Sequence, residues 1–165
     1  MIIIGVDPGT ALLGYGVIES GDQPSMLAYG AVATAADQDM PARLSQLYDA
    51  VTALIADHQP EVVAIEQLFF ARNVTTAIAV GQARGVVLLA AARAGIPVAE
   101  YSPSEVKHAV AGYGKADKRQ MQEMVRLILA LEAVPRPDDA ADALAVALCH
   151  GQTAPFLQRI GSPVG

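Results

Sequence analysis

The chain opens on an apolar run, Met1 to Val6, that stops at Asp7. A short apolar stretch closed by a turn signal predicts a buried strand over residues 1–7, with the aspartate at its C-terminal end. Asp7-Pro8-Gly9-Thr10 is that turn, because proline presets φ and glycine tolerates a tight bend. Gly14 to Glu19 and Met26 to Ala33 predict two further strands, which would form an antiparallel meander with the first. The period then changes. Leu44, Leu47, Tyr48, Val51, Leu54 and Ile55 recur at helical spacing, predicting a helix over 41–58 with Pro41 in its first turn and Pro60 beyond its end. Residues 61–66 contain VVAIE and predict a short strand that again ends on a carboxylate, Glu66.

Beyond it, residues 74–94 predict a long helix opened near Asn73 and closed by Gly95. Ile96 to Tyr101 reads as a strand, and Ser102-Pro103-Ser104-Glu105 opens a helix with a cap and a first-turn proline. Gly112 and Gly114 break the chain. Met121, Met124, Val125, Ile128 and Leu131 mark an amphipathic helix over 116–131, and Pro135 and Pro137 punctuate the segment after it. A last helix is expected over 138–150, ended by Gly151, with a mobile tail over 152–165. The order βββαβαβααα describes a single α/β domain, residues 1–151, with a mixed five-stranded sheet flanked by helices.

Composition narrows the picture. Hydrophobic residues make up 53% of the 165 and charged residues 17%, which is the balance of an ordered globular chain. The one cysteine, Cys149, cannot pair within the chain, which suits a reducing cytoplasm. The opening MIIIGVDPGT has no basic segment before its first acid, so a secretory leader is not expected. The run Val86 to Ala92, bracketed by Arg84 and Arg93, is too short to span a bilayer, so no membrane partner is expected. The net charge of −6 argues against nucleic acid when taken whole. It is unevenly spread: residues 72–126 carry eight Lys/Arg against four Asp/Glu, a local net of +4. A basic tract on an acidic chain can still form a phosphate-binding face, because fields are screened within about 10 Å.

Asp7 and Glu66 each end a predicted buried strand, where open α/β sheets bind ligands. Two carboxylates placed there repel one another unless a cation compensates. Asp139 and Asp142, three apart on the last predicted helix, share a face and can point at the same place. Aspartate at a helix start is often a cap, which accounts for Asp138 and Asp139 singly but not for Asp142. Four carboxylates without a His or Cys cluster favour Mg²⁺ or Mn²⁺ over zinc. Two such ions about 4 Å apart suit phosphodiester hydrolysis. His58, His108 and His150 are scattered and read as surface or helix-end residues.

GVDPGTALLGYGVI, AIEQLFFARN, GQARGV and DDAADALAVAL, in this order, resemble the RuvC family of Holliday-junction resolvases over residues 1 to about 150. The resemblance implies a ribonuclease H-like nuclease domain, a homodimer, four-way junction DNA as substrate, and symmetric two-metal-ion nicking with Mg²⁺, for which Mn²⁺ can substitute. It maps the acidic metal ligands, which are also the catalytic set, onto Asp7, Glu66, Asp139 and Asp142, with Asp138 an adjacent extra acid. It implies DNA contacts by Phe69, Phe70, Arg72, Asn73, Lys107 and Lys118, with Lys115 and Arg119 nearby. It implies a dimer interface on the helix carrying Ala77, Gly81 and Gly85, and cooperation with the branch-migration proteins RuvA and RuvB. Two competing readings remain at this level. GVDPGT also resembles the first phosphate loop of actin-like and sugar-kinase-type ATPases, although the chain carries no second Asp-Gly-Gly-type loop. A non-catalytic junction-binding protein is the other, against which stands the presence of all four acids. A dinucleotide-binding dehydrogenase is excluded, since the first strand leads into no G-x-G-x-x-G.

Overall fold

Side-chain alternation along the strands decides which layer each residue joins. The computed structural model describes residues 1–67 and 73–161. Its strands are β1 (Ile2–Asp7), β2 (Leu12–Glu19), β3 (Ser25–Ala33), β4 (Val62–Glu66) and β5 (Val98–Tyr101). They form one sheet in the order β3-β2-β1-β4-β5. The β1–β2 and β2–β3 pairs are antiparallel, whereas β1–β4 and β4–β5 are parallel. The mixed five-stranded sheet is therefore the one expected from the pattern, and the expected element order is observed.

Helices α1 (Met40–His58) and α2 (Val74–Arg93) cover one face. There Ile4, Val6, Leu13, Val17, Val63 and Ile65 pack against Leu47, Val51, Ala83 and Val87. Helices α3 (Pro103–Ala111), α4 (Lys118–Ile128) and α5 (Asp138–Gly161) cover the other. On that side Ile3, Ile18, Ala64 and Tyr101 meet Val106, Val125, Leu144 and Leu148. Each fully buried branched aliphatic contributes roughly 1.5–3 kcal/mol relative to exposure, so both layers are firmly held.

The approach of α5 to the sheet depends on glycine. A Cβ on Gly5 would lie 2.0 Å from the Ala143 carbonyl oxygen, and one on Gly14 would lie 2.1 Å from that of Asp139. On Gly16 it would meet the Leu144 side chain at 2.6 Å. Helix α5 thus lies on a track of missing side chains. It is buried almost all round from Ala140 to His150, except at Asp142.

Three expectations need correction. Helix α5 does not stop at Gly151 but runs to Gly161 with Pro155 inside it. Gly151 permits close packing, since a Cβ there would meet Ser20 Cβ at 3.1 Å. Beyond it Ala154 is buried, and the Thr153 hydroxyl donates to the Cys149 carbonyl at 2.7 Å. The expected domain boundary at 151 therefore falls inside a helix; of the expected tail, residues 162–165 lie outside the described residues. Helix α4 is shorter than 116–131 because Asp117 and Gln120 form a reciprocal cap at its start, and Ala130 turns left-handed at φ 50° beyond its end. Finally, α2 as a whole is long and apolar enough to cross a membrane by length and composition. It instead packs on α1 and the sheet, with Ala83, Val87, Ala90 and Ala91 buried, and its Arg84 is tied to the sheet.

Candidate active site

In parallel register Val6 lies beside Ile65, so the next residues, Asp7 and Glu66, end neighbouring strands side by side. Val6 and Ile65 belong to the α1/α2 layer and Ala64 to the α5 layer. Alternation therefore turns both carboxylates toward α5. From that helix come Asp139, whose backbone rests on Gly14, and Asp142 one turn further.

The charges of these acids act on one another. Burial first, and then the charges of Asp142, Asp139 and Glu66, push the Asp7 carboxyl up to about 7, against a smaller opposing effect of Lys118. Burial and Asp142 raise Glu66, with Lys107 acting the other way. Asp142 is raised by burial and by Asp139 and Asp138, which together outweigh Lys118. Carboxyls raised by burial and by neighbouring acids mark a site that a compensating cation would relieve. The donor set, carboxylate oxygens only, fits a hard divalent ion. Among the described residues, no group of three or more His, Cys, Asp or Glu side chains stands as a ready-made ion cage. The acids are thus coupled neighbours rather than a closed ligand shell.

Two cations stand beside the acids. Lys118 Nζ lies 3.4 Å from Asp142 Oδ2 and 3.5 Å from Asp138 Oδ2. Burial lowers the Lys118 ammonium, but these two carboxylates outweigh it and leave it above its ordinary value. Lys107, from α3, lines with Lys118, Glu66, Asp142 and Asp117 a cleft of about 260 Å³. Asp138 shares Lys118 with Asp142 and also pairs with Arg136. Desolvation works upward on it, but Lys118 and Arg136 together hold it below the usual carboxylate range. Of the two neighbours, it is Asp139 whose charge acts on Asp7.

The remaining predicted positions divide. Phe69, Phe70 and Arg72 lie outside the described residues. Asn73 caps α2, its Oδ1 accepting from the Thr75 and Thr76 amides. Lys115 and Arg119 are exposed next to the cleft, and Arg119 shares a neighbouring groove with Tyr113.

Sequence reasoning missed two features. His150 is buried, not a helix-end surface residue, and its Nδ1 lies 2.6 Å from the Tyr101 hydroxyl. Burial lowers the imidazole and raises the phenol to about 12, which describes a neutral pair. The other is Arg84, whose guanidinium reaches the end of β4. The signal for it was an arginine in the middle of a largely apolar helix.

Known proteins share both this sequence and this fold. The family model described as crossover junction endodeoxyribonuclease RuvC matches residues 3–150. A crossover junction endodeoxyribonuclease RuvC of Chloroflexus aggregans is 60% identical over 162 residues, covering 98% of this chain and 99% of that one. Its counterpart from Thermomicrobium roseum is 59% identical over 152 residues, 92% of this chain and 93% of the relative. Among solved structures, RuvC of Thermus thermophilus superposes with a TM-score of 0.88 at 39% identity, covering 94% of this chain and 96% of the other. The same protein in complex with Holliday junction substrate gives 0.87 at 37% identity, covering 98% and 97%. The yeast mitochondrial Holliday junction resolvase Ydc2, at 12% identity and a TM-score of 0.65, over 96% of this chain and 85% of the other, shares the fold.

Proposed function

The chain belongs to the RuvC family of crossover junction endodeoxyribonucleases, and from that premise we propose that it resolves four-way DNA junctions by divalent-metal-dependent hydrolysis at the cleft between β1, β4 and α5. The supporting observation is that Asp7 and Glu66 end neighbouring parallel strands and face α5, with Asp7, Glu66 and Asp142 each held above the usual carboxylate range and Asp7 pushed up to about 7. Asp7, Glu66, Asp139 and Asp142 would hold two Mg²⁺ ions, or Mn²⁺ in their place. Bound there, such ions supply Lewis-acid polarisation of the phosphodiester and water activation near neutral pH.

The chain's own residues do the rest. Asp7 and Glu66 are fixed by strand ends, and Asp139 and Asp142 by a buried helix seated closely on its glycine track, so the carboxylates are preorganised. Lys107 and Lys118 line the cleft and would receive phosphate oxygens, positioning the backbone without reading bases. Lys115, Arg119 and Arg72 would extend that basic path, with Asn73 beside it. Phe69, with Phe70 next to it, would stack on an unpaired base at the branch point, a contact worth about 1–3 kcal/mol. In the net reaction, water adds at phosphorus as the bond to the 3′ oxygen breaks, leaving a 5′ phosphate.

Symmetric nicking requires two sites. On α2, Val74, Ile78 and Leu89 are exposed, and Gly85 faces open space. Their spacing makes one apolar face along the helix, which a second copy would cover to give a homodimer. A cytoplasmic location and work alongside RuvA and RuvB accord with the family. Membership of a nuclease family leaves no support for the ATPase reading.

The test is incubation of an end-labelled four-way junction with the protein in Mg²⁺ and in EDTA. Paired nicked-duplex products are expected in Mg²⁺ alone. Products in both conditions, or in neither, would overturn the metal-dependent mechanism.

A further inference from the structure

Glu66 is the last residue of β4 and stands one position beyond the last β1–β4 pair, Val6 with Ile65. Its peptide has a partner on one side, where the Gln67 amide donates to the Tyr101 carbonyl at 2.7 Å. On the other side Arg84 closes the strand end. Its Nη1 donates to the Glu66 carbonyl at 2.7 Å, and its Nη2 pairs with Glu100 Oε2 at 2.7 Å. Glu100 lies beside Ile65 on β5. One planar guanidinium thus spans α2, the end of β4 and the end of β5.

The geometry points to Arg84 as a positioning residue for Glu66, a strut that fixes the β4 terminus from the face opposite the carboxylates. It acts through the backbone and touches no reacting atom. Three observations support this. The Arg84 side chain is only 12% exposed, so it is poorly placed to serve as a surface phosphate contact. Its two bonds run to two different strands, an arrangement that needs the rigid fork of arginine rather than the single ammonium of lysine. And the carbonyl it holds belongs to the residue whose carboxylate ends the strand beside Asp7. A carboxylate projecting from a strand end held on one side only would wander, while a peptide plane anchored on both sides limits the positions its side chain can reach. Groups that orient metal ligands in this indirect way typically change metal affinity or activity by about 10- to 100-fold when removed. The strut also connects the site to α2, the helix whose outer face carries Val74, Ile78 and Leu89.

This inference rests on Glu66 being a metal ligand, as proposed above, and its test separates the two. Arg84→Met, Arg84→Lys and Glu100→Ala are compared with the unaltered protein in three measurements. These are Mg²⁺ titration of junction cutting, junction affinity in EDTA, and amide hydrogen exchange of the metal-free protein. Arg84→Met is expected to raise the Mg²⁺ concentration for half-maximal cutting about 10-fold or more. It should speed exchange of the Gln67 amide at least about 10-fold while leaving β1 and β2 protected. Junction affinity in EDTA should stay within about twofold, because a largely buried strut adds no phosphate contact. Arg84→Lys should fall between, since one bond can survive. Wild-type Mg²⁺ dependence together with unchanged Gln67 protection in Arg84→Met would overturn the strut. So would a loss confined to junction affinity, which would make Arg84 a DNA contact. Should Arg84→Met not fold, Glu100→Ala decides: it removes the acceptor of one arm only, and a Mg²⁺ dependence and Gln67 exchange identical to wild type would count against the proposal. A wild-type protein that cuts no junction at any Mg²⁺ concentration would instead refute the nuclease reading, leaving the exchange result to judge the strut alone.

Discussion

Substituting Gly14 by alanine isolates the role of the glycine track. An added Cβ would stand 2.1 Å from the Asp139 carbonyl oxygen, 2.3 Å from its carbonyl carbon and 2.8 Å from its Cβ. Ordinary contact begins near 3.4 Å, so the first turn of α5 must lift by more than about 1 Å, and no side-chain rotation can relieve a clash with backbone. That turn carries Asp139, and Asp142 comes one turn on. Overpacking of this kind costs roughly 1–3 kcal/mol of stability. A displacement of about 1 Å at a reacting centre costs about 100-fold in rate, equivalent to roughly 2.7 kcal/mol in the barrier. Single-turnover cutting of a saturating labelled junction should therefore fall about 100-fold, while urea unfolding still shows a cooperative transition and junction binding in EDTA persists. Gly16→Ala is the control. There the clash is chiefly with the Leu144 side chain, at 2.6 Å and beyond the acids, so stability should drop with a much smaller loss of cutting. If both variants cut equally well, or if Gly14→Ala retains the wild-type rate, the close seat of α5 does not set the geometry of the site.

Other outcomes are accessible to routine assays. Asp7→Asn should abolish cutting yet leave junction binding in EDTA unchanged, because it removes a charge without adding bulk; cutting at the wild-type rate would show that Asp7 is not a ligand. The metal-free protein should lose stability as pH rises. A folded-state carboxyl held at about 7 binds its proton more tightly than the unfolded chain does. Its contribution is therefore complete below about pH 4 and is lost as pH passes through about 7. Urea midpoints in EDTA at about pH 5 and about pH 8 would reveal the slope, which Asp7→Asn should flatten and millimolar Mg²⁺ should oppose. Ile78→Asp places a charge on the exposed α2 face and should weaken self-association about 100-fold in sedimentation; an unchanged dimer would move the interface elsewhere. Phe69→Ala should impair cutting without altering the metal requirement, and unchanged cutting would reject the stacking role.

The hydrophobic pattern carried most of the architecture because strand and helix periods are local. Asp7 and Glu66 could be placed at strand ends from the apolar runs that precede them, and Asn73 and Ser102 mark helix starts that the structure contains. What was not legible came from contacts between distant residues. Gly151 resembles a helix stop, yet it serves the packing of α5 against Ser20 and Ile3. His150 has no local reason to be buried; its partner Tyr101 is 49 residues away. Arg84 looked like one more charge in a basic tract, and only the end of β4 gives it a purpose. Asp138 and Asp139 cannot be separated by spacing alone, but their surroundings differ: Lys118 and Arg136 for the first, Asp7 for the second.

Two-residue alternation in β1 and β4 has a consequence for how this chain can vary. Inserting or deleting one residue between Ile2 and Asp7, or between Val62 and Glu66, would rotate the terminal acid to the α1/α2 layer and bury it among aliphatic side chains. Length changes in those two segments are therefore far more damaging than most point substitutions. The turn between β2 and β3, where a Cβ on Gly21 would meet nothing within 4 Å, should absorb added residues readily.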